Sequence, residues 1–203
     1  MVQKLEQSYY LNKDVVFLAQ NLIGKVICTK IKGEYCTGII SETEAYNGTS
    51  DKASHAYNNR RTARTEIMFG NGGFSYVYLC YGIHKLFNVV CSPKDIPNAV
   101  LIRGIIPLEG TEIMEKRRNK DKEQKGFSNG PGTLTIALAI EMEHNKIDLT
   151  GDNIWIENRE IQFPENEIQI GPRIGIDYAE EDKSLPYRFL LNKNSIQNVD
   201  LHQ

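Results

Sequence analysis

Two pairs of β-rich segments, each joined by a short connection that contains glycine, constrain the fold of this chain most strongly. The first pair covers residues 25–31 and 35–46, and the second covers residues 74–81 and 86–91. Short glycine-containing connections between β-rich segments are typical of antiparallel hairpins. Together with a further strand predicted over residues 99–106, the two hairpins predict the core of a mainly antiparallel sheet.

Helical patterns lie outside these strands. Apolar residues repeat at helical spacing before Gly24, which predicts an amphipathic helix over residues 13–22. Further helices are predicted over residues 109–116 and 133–140, and further short strands at NIWIEN, IQFP and YRFLL. At 203 residues the chain fits one domain, residues 1–203. We therefore expect an α/β (α+β) fold in which helices flank a curved, mainly antiparallel sheet.

The composition narrows the class of protein. Hydrophobic residues make up 40% and charged residues 25% of the chain, as in an ordinary globular domain. The sequence has no apolar run long enough to span a bilayer and does not start with a signal-peptide pattern, so we expect a cytoplasmic protein that does not bind membranes. The net charge of −2 is not typical of a nucleic-acid binder. Basic residues do cluster at 60–64 and 116–125, but each cluster alone indicates a solvated loop or surface.

The cysteines and histidines show no spacing that is typical of a metal site. They are Cys28, Cys36, Cys80, Cys91, His55, His84, His144 and His202. We expect the cysteines to be mainly buried free thiols, and we predict neither a metal ion nor a cofactor.

Polar side chains alternate where the second predicted strand ends. Glu42, Glu44 and Tyr46 are two residues apart, so in a strand they would share one face with Ile40, and that face is either exposed to water or part of a site. Arg103 lies within the apolar segment AVLIRGII, where a guanidinium needs a partner. Glu42 or Glu44 is the natural candidate. The pattern fits an internal ion pair without a catalytic role as well as it fits a site.

Aromatic and polar residues in the middle of the chain add to this pattern. Tyr76 and Tyr78 fit strand packing, whereas Tyr81 borders a glycine-containing turn, where a large ring has little to pack against and suggests an external partner. Asn88 is a polar residue within the apolar segment LFNVV, and His55 lies in a long polar loop. A carboxylate, a buried arginine, tyrosines and a histidine together suit the holding of a flat ring beside an activated water, as in nucleobase release.

The segments ETEAY, YVYLCYGIHKLFNVV and VLIRGIIPLEG, together with His55, resemble the alkyladenine (3-methylpurine) DNA glycosylase family. Weaker similarity runs from LAQNLIGKVI through GPGTLTIALAI to PRIGIDYAEE and so covers nearly the whole chain. The resemblance implies a fold like the carboxy-terminal domain of methionyl-tRNA formyltransferase. It also implies a monomer that acts on double-stranded DNA with damaged purines, associated with the nucleoid if the source is prokaryotic.

The implied activity is base-excision repair. The enzyme would flip the damaged nucleotide, hydrolyse the N-glycosidic bond of alkylated purines such as 3-methyladenine and 7-methylguanine, and leave an abasic site without a lyase step. Whether it accepts hypoxanthine and ethenoadenine is left open by the sequence. Following the resemblance, Glu44 would be the general base that activates the water, with Arg103 as its partner. The pocket for the flipped nucleobase would be formed by Tyr46, His55, Tyr78 and Asn88. Tyr81, with Ile83 beside it, would enter the duplex.

Two other functions fit parts of the pattern. A noncatalytic nucleic-acid-binding module could share the fold, but it would have no need of Glu44 beside Arg103. A carbohydrate glycosidase would need a second carboxylate placed as an acid, which the sequence does not offer convincingly. Thr133 stands where the resembled family commonly has lysine, and the mildly acidic net charge predicts modest, strongly salt-dependent DNA affinity.

Overall fold

A computed structural model describes residues 2–161 and 163–192 of the chain. Within these ranges nine strands form one sheet in which every strand pair is antiparallel. The strands are β1 (Gln3–Lys4), β2 (Val26–Ile31), β3 (Glu34–Tyr46), β4 (Ser75–Cys80), β5 (His84–Cys91), β6 (Asn98–Glu109), β7 (Ile154–Asn158), β8 (Ile168–Gly171) and β9 (Arg188–Leu191). The α-helices are α1 (Gln7–Tyr10), α2 (Val15–Asn21), α3 (Thr111–Arg118) and α4 (Pro131–Ala137). Short 3-10 helices lie at Tyr57–Asn59, Glu66–Phe69, Met142–His144, Glu165–Glu167 and Asp177–Ser184.

The long strand β3 lies at the centre of the sheet. The main strand order is β1-β7-β2-β3-β6-β5-β4, and β9 pairs with both β3 and β8. β3 pairs with β6 on one side; on the other side its first half pairs with β2, and residues 42–44 pair with β9. The polar end of β3 is therefore held by backbone hydrogen bonds on both sides, which makes it a rigid platform for side chains.

Apolar side chains of the helices form the main core against the sheet. In α2, Leu18 and Ala19 are buried, and in α4, Leu134 and Ala137 are buried in the same cluster. Burial of each large aliphatic side chain stabilises the fold by about 1.5–3 kcal/mol. Asp14 caps α2 by accepting hydrogen bonds from two backbone N–H groups of its first turn. No helix in the described ranges is long and apolar enough to cross a membrane.

The predicted hairpins, the three predicted helices and the α/β class with a mainly antiparallel sheet are confirmed, with element ends displaced by a few residues. The one-domain prediction and the likeness to the formyltransferase domain stay predictions. The strand predicted at IQFP is wrong, because Ile161, Phe163 and Pro164 lie in an irregular segment whose apolar side chains pack against the sheet; Gln162 lies outside the described residues. The sequence pattern missed β8, which is only four residues long and has no buried residue.

The prediction that Ile40 shares a face with Glu42 and Glu44 is also wrong. The register between β3 and β6 shifts on both sides of Glu42, and Ile40 packs in the same apolar cluster as Ala45. A bulge adds a residue to one strand and so reverses which side chains point to which face. Glu42, Glu44 and Tyr46 therefore share the face opposite the main core, while Ile40 stays within the core.

Candidate active site

Glu44 is the most deeply buried carboxylate at the end of β3. Its Oε1 accepts a hydrogen bond from the Ile174 N–H at 2.8 Å and lies 3.3 Å from Arg103 Nε, and its Oε2 accepts one from the Tyr46 hydroxyl at 2.9 Å. Burial raises the pKa of Glu44 above its usual value, although Arg103, the Ile174 amide and the Tyr46 hydroxyl each oppose the rise. The result is a carboxyl group that is a stronger base than a surface glutamate and is fixed in orientation.

Arg103 has both candidate carboxylates as partners. Its Nε donates to Glu42 Oε1 at 2.9 Å in addition to its contact with Glu44, and Arg188 Nε donates to the same Glu42 oxygen at 2.6 Å. Burial works against the charged guanidinium, but the Glu44 and Glu42 carboxylates raise the pKa of Arg103 above its ordinary value. The buried charges on β3, β6 and β9 therefore form one compensated network, as buried ionic groups require.

A second buried ion pair lies behind Tyr46. Both terminal nitrogens of Arg173 donate to the Asp51 carboxylate, and the Arg173 guanidinium carbon is 4.8 Å from the centroid of the Tyr46 ring. Arg173 directly precedes Ile174, whose N–H binds Glu44. The pair thus orients both a wall of the site and a donor to the carboxylate. Sequence reasoning missed it, because an arginine in the polar segment GPRIGIDY carries no local sign of burial.

His55 lies against the tyrosines of β4 and is neutral near pH 7. Its Nδ1 is 2.8 Å from the Tyr76 hydroxyl, its Nε2 is 3.3 Å from Arg64 Nη2, and its ring meets the Tyr78 ring edge-on with centroids 4.7 Å apart. Burial, followed by Arg64 and Arg60, lowers the pKa of His55 to about 4. Because arginine can only donate, Nε2 is the acceptor and Nδ1 carries the proton.

The arginine cluster of the loop divides between two environments. Arg60 and Arg64 line the cavity described below. Arg61 instead forms exposed ion pairs with Glu66 and Asp95. The expectation of a solvated loop therefore holds for Arg61, whereas the other two face the candidate site.

An open cavity of about 870 Å³ connects these residues. Tyr46, His55, Tyr78 and Arg103 line it, and a small inner cavity of about 30 Å³ adjoins it between the first three of these and Asn88. Asn88 is buried and donates from Nδ2 to the Tyr76 carbonyl at 3.0 Å, which fixes its amide. The outer volume falls within the range of small-molecule sites.

The turn between β4 and β5 projects from the rim of this cavity. Tyr81 is 86% exposed and lines the rim, whereas Ile83 is 69% exposed and lies outside the lining. Tyr81 has a φ of 50°, which is uncommon for a large residue and is a conformation often found at functional sites. Thr133 also lines the cavity, and its hydroxyl donates to the Gly130 carbonyl.

Tyr46, His55, Tyr78 and Arg103 thus line the open cavity, and Asn88 lines the inner cavity that adjoins it. Glu44 is fully buried and is joined to this site by its contacts with Tyr46 and Arg103. The described part of the chain contains no group of three or more His, Cys, Asp or Glu side chains that could hold a metal ion. Cysteines occur as free thiols, buried at positions 28, 36 and 91 and half-buried at Cys80.

The chain is similar to one family model and to known proteins over most of its length. The family model described as methylpurine-DNA glycosylase matches residues 9–195. A Chlamydia felis protein named "Putative 3-methyladenine DNA glycosylase" is 49% identical over 189 residues, which cover 93% of this chain and 96% of that protein. Proteins of the same name from Chlamydia abortus and Desulfitobacterium hafniense are 47% and 40% identical, covering 93% and 98% of this chain and 98% and 100% of their own lengths.

Proposed function

The chain belongs to the methylpurine-DNA glycosylase family and is a DNA glycosylase; from this premise we propose that it removes alkylated purines, with the damaged nucleotide flipped into the cavity beside Glu44. The observation that carries this proposal is the buried Glu44 carboxylate, raised in pKa and held by Arg103 and Tyr46, which themselves line a cavity that has room for a purine. Substrates with a positively charged base, such as 3-methyladenine and 7-methylguanine, suit the aromatic walls.

Glu44 is proposed as the general base. A carboxylate offers about four acceptor positions, and the Ile174 amide, Arg103 and the Tyr46 hydroxyl use three of them. The remaining acceptor position, on Oε2, is proposed to bind a water, which would attack C1′ of the sugar while Glu44 accepts its proton. The bond between C1′ and the base nitrogen breaks, and the bonding electrons neutralise the cationic base as it leaves. Such a leaving group needs little protonation, which fits a site with one prominent base.

The pocket side chains divide the recognition of the base between them. Tyr46 and Tyr78 offer ring faces and His55 a further aromatic wall. The fixed amide of Asn88 would disfavour normal guanine by a clash with its exocyclic amino group. 7-Methylguanine shares this clash, but as a cation it leaves the sugar more readily than neutral guanine does. Tyr81, exposed at the rim, is proposed to fill the space that the flipped nucleotide leaves in the duplex.

We also propose that the enzyme lacks a lyase step. A Schiff base needs a neutral lysine amine. Lys52 lines the cavity, but its amine forms ion pairs with Glu180 and Glu181, and these contacts raise its pKa. Borohydride reduction during turnover should therefore trap no covalent complex with DNA, and a trapped complex would contradict this part of the proposal.

The test of the activity uses purified protein without added metal. DNA alkylated with dimethyl sulfate should release 3-methyladenine and 7-methylguanine, measured by chromatography, and an oligonucleotide with one lesion should gain one alkali-labile site. Glu44→Gln should lower the rate about 100-fold or more while lesion binding persists. Glu66→Gln is the matched control, because Glu66 forms its ion pair with Arg61 outside the cavity lining.

The outcomes separate the parts of the proposal. No release from any lesion by the wild-type protein would refute the proposed substrates. Release that persists in Glu44→Gln would instead remove Glu44 from the role of base and leave the substrates unaffected.

A further inference from the structure

One exposed guanidinium engages three aromatic side chains on the cavity wall. The guanidinium carbon of Arg64 lies 4.8 Å from the centroid of the Tyr78 ring. Its Nε donates to the Tyr76 hydroxyl at 3.1 Å, and its Nη2 donates to His55 Nε2 at 3.3 Å. Arg64 is itself exposed, so these contacts hold a long side chain on the wall that would otherwise be free to extend into water.

The Arg64 guanidinium lies in the open cavity. Arg64 and Tyr78 both line the cavity of about 870 Å³, whereas the inner cavity of about 30 Å³ is lined by Tyr78 and not by Arg64. A base that enters the open cavity therefore meets the guanidinium on the Tyr78 ring before it can stack on that ring face.

We propose that Arg64 is a placeholder: in the free protein its planar, cationic guanidinium occupies the face of Tyr78 on which the flipped base stacks, and every base must displace it. This inference rests on the proposed function, because it concerns how the same pocket is filled. The guanidinium and an alkylated purine share their flat shape and positive charge, so both are attracted by the same ring face.

The placeholder has a consequence for selectivity. It lowers the apparent affinity of the pocket for every base by the same factor. A cationic base binds tightly enough to fill the pocket almost completely even at the lower affinity, so its excision rate changes little when the enzyme is in excess. A neutral base fills the pocket only in part, so its occupancy, and with it its excision rate, falls by nearly the whole factor by which the affinity is lowered. Arg64 therefore widens the difference in rate between cationic and neutral bases.

The experiment compares Arg64→Ala with Arg60→Ala. Arg60 carries the same charge and lines the same cavity, while the ring stacking belongs to Arg64. Single-turnover excision is measured with excess enzyme on duplexes that contain 7-methylguanine or hypoxanthine. Arg64→Ala should raise the hypoxanthine rate relative to the 7-methylguanine rate by about threefold to tenfold. Arg60→Ala should change both rates by one common factor.

A second measurement needs neither DNA nor catalysis. Calorimetric titration with free 3-methyladenine should show tighter binding to Arg64→Ala than to the wild-type protein, by a similar factor of about three to ten. Equal or weaker binding to Arg64→Ala, or equal loss of both excision rates, would overturn the placeholder. If the wild-type protein excises no lesion, the proposed function fails, yet the free-base titration still decides the role of Arg64.

Discussion

Replacement of Glu42 by glutamine should move the acid limb of base release to lower pH. Glu42 Oε1 lies 2.9 Å from Arg103 Nε, which in turn lies 3.3 Å from Glu44 Oε1. The two carboxylates are therefore within about 6 Å of each other, a distance at which like charges repel appreciably. Burial is the main cause that raises the pKa of Glu44, and the Glu42 charge adds to it.

The magnitude follows from Coulomb's law. Two unit charges about 6 Å apart repel by about 3 kcal/mol at an effective dielectric constant of 20, which corresponds to about two pKa units. The Arg103 guanidinium lies between the carboxylates and cancels part of this repulsion, so we expect Glu42→Gln to shift the limb by about one pH unit. The sign follows from the proposed role of Glu44 as general base: a carboxyl group accepts a proton only when ionised, so activity should fall as the pH drops through the pKa of Glu44.

The assay is the single-turnover release of 7-methylguanine, measured as a function of pH between about pH 5 and pH 8. Arg188→Gln provides the opposite perturbation, because it removes a cation that pairs with Glu42 at 2.6 Å. The acid limb of base release by Arg188→Gln should therefore move to higher pH. Shifts of both variants in the same direction, or an unmoved limb in Glu42→Gln, would refute the electrostatic coupling between Glu42 and Glu44.

Three further predictions concern residues around the site. Arg173→Met leaves Asp51 buried without its cation, which should lower the free energy of unfolding by about 3–5 kcal/mol and the Tm by about 10 °C. Arg61→Met removes an exposed ion pair and should lower the Tm by less than about 3 °C. Equal shifts in a thermal melt would contradict this difference. Burial lowers the pKa of His55 to about 4, so the unfolded chain binds a proton first as the pH falls below 6.5, and stability is lost between pH 6.5 and pH 4. Urea titrations should show that His55→Asn removes up to about 3 kcal/mol of this loss of stability. An equal dependence of the unfolding free energy on pH in His55→Asn and the wild-type protein would reject this prediction. Tyr81→Ala should leave the Tm unchanged, because the ring is exposed, but lower single-turnover excision about tenfold or more; an unchanged rate would reject insertion into the duplex.

The local features of the fold were predictable from neighbouring residues. The alternation of apolar residues, the glycine-containing turns and the helical spacing before Gly24 depend on side chains a few positions apart, and they led to the confirmed hairpins and helices. The errors arose where this local information fails. The bulge beside Glu42 changes which face Ile40 joins, and a bulge depends on the partner strand β6 as well as on β3.

For the site, the sequence by itself determined the family and the types of residue that we propose for its chemistry: a carboxylate and an arginine within apolar strands, tyrosines at a turn and a histidine in a polar loop. Only the tertiary structure decided which atoms meet. Glu44 is 130 positions from the amide that binds it, and Arg173 is 122 positions from Asp51. Such contacts form because the strands and loops that carry them pack together, and burial then shifts the pKa values of Glu44 and His55 in opposite directions.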